Sequence, residues 1–505
     1  MSRRWRVERL VPPNRLRGAN GIAFGPDGRL YVAQYLSGQI SAVDITSGDV
    51  EVVVAQGGLV RSPDDLAFAA DGTMYIADLD PGLVWRRTQD GDLGVVSDVV
   101  QAPNGITCVG NRLFVNEMVM NGRLFEVFPD GAEPRVLTDG LGRGNAMQAG
   151  PDGYLYYPHM VTGQVWRISP DGGMPELVAA DLDAPVAVRF DRAGVMMVLS
   201  CGPEGLITRI DLGTGHRSMI TTGVVGLDNA AFDSDNRMFV SSFAGGGITE
   251  ICADDRIRSV VPQGLTGPFG ITADNHGTVY AADHFSLAAI TGDGRTDVVD
   301  VVTGSLPVFV RGVAADGDVL QIATTQGEVH AYDPVSKTTG VRASGLSGLS
   351  GIVTGPEGRT VVAESDVGRI VAIDKSGTVT VLAEGLDHPV GVAIEDNGTC
   401  YVSEDRLGQV VRLADGKPVI VTDGLGAPQG LAIRGDDLFT IDVAHRRLLR
   451  ISLTTGQADV DAENLPVAQF ADITAAVDGS LLVSAHGEGT VLRLVQNSAL
   501  PQENQ

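Results

Sequence analysis

The sequence predicts an all-β chain: two tandem six-bladed β-propellers of four-stranded antiparallel blades. Three observations lead there: an excess of glycine, a repeat running the length of the chain, and the kind of strand that stands at its ends. The 505 residues include 65 Gly, against roughly 35 at an average share of about 7%. Glycine at that density, without a collagen period, means many tight turns and therefore many short strands.

The repeat sets the order of the elements. ANGIAF at 19–24 returns as PDDLAF, PNGITC and PQGLAI. The position of Gly21 is filled in turn by Asp65, Gly105, Ala146, Ala187, Asn229, Gly270, Gly312, Gly351, Gly391, Gly430 and Asp472, at spacings of 39 to 44 residues. Each unit opens with an apolar strand (GIAF) and a turn such as Pro26-Asp27-Gly28. A second strand (LYVA), a glycine turn, a third strand (GQISAVD) and a Val-rich fourth (EVVVA) follow. Four short strands per unit of about 40 residues is the pattern of a propeller blade.

Twelve blades exceed the four to eight of an ordinary ring, so two rings of six are expected. The chain opens on a lone fourth-type strand, WRVERLV at 5–11, and ends after a third-type strand, GTVLRLV at 489–495. Another fourth-type strand, RIRSVV at 256–261, lies midway. On this reading Trp5–Val11 closes the sixth blade and Arg256–Val261 the twelfth. The domains are then residues 1–253 and 254–497, with a tail at 498–505.

Charge narrows the function. Lys and Arg number 37 against 63 Asp and Glu, a net −26. Nucleic acid and anionic lipid both call for clustered basic residues, so the expected partner is a small molecule, with neither nucleic acid nor membrane. Cys108, Cys201, Cys252 and Cys400 form no CxxC pair and read as free thiols. The N-terminal MSRRWRVERLVPP has charge but no following apolar stretch, so a cytoplasmic location is expected. The sequence has no G-x-S-x-G elbow, Walker loop or H-E-x-x-H.

The two halves serve as controls for each other. The residues just before the first strands of the first half are Asn20, Asp64, Asn104, Asn145, Val186 and Asp228. In the second half they are Phe269, Arg311, Ser350, Val390, Gln429 and Ala471. Hard cations take converging carboxylate and amide oxygens. If Asn and Asp merely capped turns there, the second half would need them too. A divalent cation (Ca, Zn or Mg) held by Asn20, Asp64, Asn104, Asn145 and Asp228 is therefore expected.

At the end of the second strand the first half has Gln34, Asp78, Glu117, His159, Ser200 and Ser242. The second half is polar there as well, which favours satisfaction of turn amides. His159 and Glu117 stand beside Asp228 as catalytic candidates. One residue on, Tyr35, Leu79, Met118, Met160, Cys201 and Phe243 would form an apolar collar that binds substrate. The alternative use of that collar is contact with the other propeller.

GPFGITADNHGTVYAADHF at 267–285 and APQGLAIRGDDLFTID at 427–442 resemble NHL-type and streptogramin-lyase-type propellers. PNGI at 103–106 resembles the senescence-marker and gluconolactonase propellers. The latter resemblance implies a divalent cation at the channel mouth, held by Glu, Asn and Asp, and lactone hydrolysis. Asn20 stands where that family has Glu. The leading expectation is a metal-assisted hydrolase of a fairly hydrophobic lactone, macrocyclic ones included, with Asp228 or His159 taking the proton from water. Two alternatives stand beside it. One is a streptogramin-lyase-like C–O lyase or cyclase using His284, His486, Glu364, Glu404 and Asp405. The other is a non-catalytic propeller whose second ring binds a protein partner.

Overall fold

A computed structural model describes residues 4–414 and 416–497; the expected tail at 498–505 lies outside them. The regular structure is almost all strand, arranged as twelve four-stranded antiparallel sheets. Two short 3-10 turns, Pro356–Gly358 and His486–Glu488, are the only helical segments among the described residues. Among the described residues no helix is long and apolar enough to cross a membrane. The four cysteines are free thiols.

The first sheet shows how the repeat folds. Ala19–Phe24, Leu30–Gln34, Gln39–Val43 and Val50–Val54 pair in simple succession. Gly28 closes the first turn at φ +77°, and the Asp27 carboxylate accepts the Arg29 N–H at 3.1 Å. Leu30–Gln34 is buried along its whole length, whereas Val50–Val54 exposes Glu51 and Val52 and buries only Val54. Inner strands are covered on both faces by neighbouring sheets and read as unbroken apolar runs; outer strands meet water. Apolar clusters fill the space between adjacent sheets. One of them joins Tyr31, Ala33 and Ile40 of the first sheet to Leu66, Met74 and Ile76 of the second.

The chain divides into two compact units, with six sheets in each. The first unit is Arg15–Gln263; the second joins Met1–Asn14 to Gly264–Gln505. Within each unit the first and last sheets touch. Ser241 Oγ donates to the Asn20 carbonyl at 2.5 Å, and Ser484 Oγ to the Phe269 carbonyl at 2.7 Å.

The closing strands are the reverse of the sequence reading. Trp5–Arg9 pairs with Thr490–Gln496 in the last sheet of the second unit, in the register Trp5↔Gln496 and Arg9↔Leu492. Ile257–Val261 pairs with Ile248–Ile251 and completes the last sheet of the first unit. The reason is loop entropy. A tight turn, with Cys252 N–H on Arg256 O at 2.8 Å and Asp255 at φ +63°, delivers Ile257 straight back onto its neighbour, and a short local closure costs far less than a distant one. With every first-unit sheet completed locally, the N-terminal strand fills the edge left open in the second. The units therefore differ from the expected spans 1–253 and 254–497 by an exchange of strands.

Candidate functional site

A shared backbone device aims the site residues. The innermost strands shift register at Ala19/Ile22, Pro63/Asp65, Pro103/Ile106, Pro185/Ala187 and Leu227/Ala230. Such bulges turn a side chain off the ladder and are common beside active sites. They fall on Asn20, Asp64, Asn104, Val186 and Asp228. The glycines that mark the repeat follow directly. A Cβ on Gly21 would lie 2.3 Å from Asp65 Oδ1, and one on Gly105 would lie 2.1 Å from the Asn145 carbonyl. The inner strands approach too closely there for a side chain.

Four of the five expected oxygen donors form one buried group. Asn20 Nδ2 donates to Asp64 Oδ2 at 3.5 Å, and Asn104 Nδ2 lies 2.9 Å from Met118 Sδ. The amide oxygens Oδ1 of Asn20 and Asn104 are buried with no hydrogen-bond partner among the described residues. Burial, then the charge of Asp65, pushes the Asp64 carboxyl up to about 8; its hydrogen bonds to Asn20 and Asn104 oppose the rise. Burial also raises Asp228 well above the usual carboxylate range, followed by the charges of Asp64 and Asp65. Two carboxylates thus repel each other out of water. Asn145 is buried at the equivalent position, but its Oδ1 accepts the Ala146 N–H at 2.7 Å and is turned back on its own strand.

Three side chains missed by sequence reasoning form a second layer: Asp65 and Asn229, one residue on from Asp64 and Asp228, and Arg189 of the strand VAVRF. Asp65 accepts the Leu66 N–H at 2.9 Å and Asn229 Nδ2 at 3.1 Å. The Arg189 guanidinium lies 3.7 Å from Asp65 Oδ2 and donates to the carbonyls of Ala230, Met147 and Val188. The available signal was the repeat itself: Asp65 and Asn229 occupy positions where glycine is the usual residue, and Arg189 interrupts the apolar strand VAVRF.

Glu117 and His159 have another task. Glu117 accepts the N–H groups of Gln101 and Arg123, both at 2.9 Å, and is gripped by the Arg123 guanidinium at 2.7 Å. Asp78 holds the N–H groups of Arg61 and Ser62 in the same way, Glu364 that of Ser347 and Glu404 that of Asp387. This clamp ties the end of each second strand to the loop about 17 residues earlier. His159 does the same through Nδ1, which accepts the Gly142 N–H at 3.3 Å. Its ring lies 5.8 Å from Trp166, stacked, and burial draws its pKa down to about 4. The imidazole is therefore neutral at neutral pH.

The collar residues are equivalent in the backbone. The N–H groups of Tyr35, Leu79, Met118, Met160, Cys201 and Phe243 each donate to a carbonyl in the preceding loop at 3.0–3.3 Å. Met160, Cys201 and Phe243 share one apolar cluster. Tyr35 differs, because its hydroxyl donates to Asp80 at 3.2 Å.

The second unit does not assemble the expected His and carboxylate set. Glu364 and Glu404 are bound as clamps by Arg369 and Gln409. Asp405 is held by His388 at 2.7 Å and Gln429 at 3.1 Å. His284 and His486 instead pack with Phe269, their ring centres 4.4 and 4.7 Å from it.

Among the described residues no group of three or more His, Cys, Asp and Glu side chains could hold a metal. The first-unit group is of another composition: two carboxylates and two unpartnered amide oxygens. That donor set fits a hard, oxygen-seeking divalent cation.

Comparison with known proteins finds a gluconolactonase similar to part of this chain. No family model matches the chain. Over 115 residues it is 31% identical to a gluconolactonase of Zymomonas mobilis subsp. mobilis, a match covering 19% of this chain. The chain spans about a third (32%) of the length of that relative. Among solved structures, a streptogramin B lyase aligns at 19% identity and a TM-score of 0.41, covering 55% of this chain and 95% of that one. A gluconolactonase of Xanthomonas campestris aligns at 14% identity and a TM-score of 0.41, covering 47% and 86%.

Proposed function

We propose that each unit is a six-bladed propeller and that the first hydrolyses a lactone at the mouth formed by Asn20, Asp64, Asn104 and Asp228. One observation carries the reading. Two carboxylates raised by burial, Asp228 further by the charge of Asp64, stand beside two amide oxygens without partners among the described residues, an arrangement that is costly unless a cation completes it. The similarity to a gluconolactonase supports the reaction class.

Asn20, Asp64, Asn104 and Asp228 would hold a divalent cation, which supplies polarisation of an ester carbonyl and a more acidic water. Asn20 orients Asp64 through its amide N–H. Asp228 carries no hydrogen bond on its carboxylate among the described residues, and is free to accept the proton of the attacking water. Met118, in contact with Asn104, and the cluster of Met160 and Phe243 offer an apolar wall to the substrate body, which favours a hydrophobic lactone over a sugar lactone. Glu117 and His159 are held by their clamp contacts, so the proton transfer is assigned to Asp228.

Metal analysis of the purified protein and a panel of aliphatic and sugar lactones, assayed with and without chelator, test this. Hydrolysis of an aliphatic lactone that is lost with chelator and restored by Ca, Mg or Zn supports it. Hydrolysis that is indifferent to chelator and to Asp228→Asn refutes it.

A further inference from the structure

Six residues at or just before the starts of the innermost strands of the second unit, Phe269, Arg311, Ser350, Val390, Gln429 and Ala471, line one recess with a cavity of about 40 Å³. That is room for a single small polar group rather than a whole ligand. Arg311 is the charged member. Its guanidinium carbon lies 4.5 Å from the Phe269 ring centre and 4.0 Å from that of Phe470. Both rings lie within cation–π range of the guanidinium. Among the described residues no carboxylate lies in ion-pair range of Arg311, and no acceptor is hydrogen-bonded to it. Asp472 is the carboxylate that acts on it electrostatically, but the oxygens of Asp472 accept the N–H groups of Ile271 and Ile473 at 3.0 and 2.9 Å. Burial draws Arg311 down only to about 10, so it remains a cation at neutral pH.

The rim is unusual as well. Phe470 is 41% exposed at φ +70°, and Phe309, two residues before Arg311, is 44% exposed at φ +56°. The loop positions matching Phe309 elsewhere hold Gly18 and Gly348 but also Ala102, Arg143 and His388, all at positive φ. A bulky residue in the left-handed region is strained where glycine is not. Phe470 and Phe309 pack against Phe269 and Phe285, with ring centres 5.6 and 5.8 Å apart, and each still exposes part of its ring at the rim. A planar carboxylate matches the guanidinium fork with two parallel hydrogen bonds, and a flat apolar body matches an exposed aromatic rim.

We propose that this recess of the second unit binds a small aromatic carboxylate, its carboxylate on the edge of Arg311 and its ring against Phe470. The site is independent of the chemistry assigned to the first unit. The test is calorimetric titration of the full-length protein with benzoate, acetate and inorganic phosphate at neutral pH. Benzoate is expected to saturate at millimolar concentration or below and to bind at least about tenfold more tightly than acetate or phosphate. Arg311→Met and Arg311→Lys should each weaken benzoate at least about tenfold, the first by removing the charge and the second by removing the fork. Phe470→Ala should weaken benzoate and leave acetate unchanged. If Arg311→Met does not fold, Arg311→Lys, which keeps the charge, decides. Benzoate that fails to saturate, phosphate that binds as tightly as benzoate, or Arg311 variants that bind like the wild type overturn the proposal.

Discussion

The indole Nε1 of Trp5 donates a 2.8 Å hydrogen bond to Asp461 Oδ2, across 456 residues of chain. The same ring packs edge-on against Phe439 with centroids 5.8 Å apart, and Trp5 is only 2% exposed. The first strand of the chain is thus part of the core of the second unit. Trp5→Ala should destabilise that unit by about 3–5 kcal/mol. Residues 15–263 expressed alone should unfold cooperatively, and residues 264–505 alone should not unless the 4–14 segment is supplied. Calorimetry of the two fragments decides it: a cooperative transition for 264–505 by itself would show that the closing strand is dispensable.

The burial of Asp64 and Asp228 gives a stability profile with a definite sign. Both carboxyls lie above their ordinary 3.8, Asp64 at about 8. A group raised in the folded state stabilises fully below its unfolded value, and that contribution is lost as pH rises through the folded one. Without divalent cation the first unit should therefore lose stability between about pH 4 and 8, and Asp228→Asn should flatten the loss and raise Tm at pH 8 by about 2–4 °C. Calcium should raise Tm more at pH 8.5 than at pH 5.5, because ligands must be ionised. A calcium effect equal at both pH values would remove the pair from the cation site.

Asp228→Asn should also lower lactone kcat/KM by more than the tenfold that 1.4 kcal/mol represents. Asn104→Ala should do so through weaker cation affinity, and added metal should partly restore it. An active Asp228→Asn enzyme at saturating metal would take the proton transfer away from this residue.

Glu117 offers the contrast. Its side chain is 2% exposed and holds Arg123 and two backbone N–H groups. Glu117→Ala should cost about 2–3 kcal/mol, since it strands those donors, while activity per folded molecule stays within about threefold of the wild type. Denaturant titration beside active-site-normalised kinetics checks this, and a kcat collapse in a fully stable variant would restore Glu117 to the chemistry.

His159 should show a mirror-image pH effect. Burial lowers it from 6.5 to about 4, so the stability gained from keeping it neutral is present above pH 6.5 and is lost as pH falls through 4. His159→Gln should reduce the acid-side loss of stability and leave the lactone rate at pH 8 nearly unchanged. Urea unfolding at pH 7 and 4.5, with kinetics at pH 8, reads both; a rate loss of a hundredfold or more would make the imidazole a base.

The sequence by itself determined the repeat, the four strands of each repeat, and the positions near the inner-strand starts at which Asn20, Asp64, Asn104 and Asp228 meet. These follow from local rules: period-2 patterning, turn residues, and glycine wherever an inner strand passes too close for a side chain. Convergence of Asn20, Asp64, Asn104 and Asp228 was legible because equivalent positions in a repeat must share surroundings. Tertiary structure alone decided which strand closes which unit, since Trp5–Arg9 and Ile257–Val261 have the same local pattern and differ only in the closure entropy of the loops that deliver them. It also decided which polar side chains are spent on backbone amides. Asn145 resembles Asn104 in sequence and Glu117 resembles a catalytic acid, but a hydrogen bond to a neighbouring N–H depends on where the loop before it lies, and that is set by packing rather than by residue type.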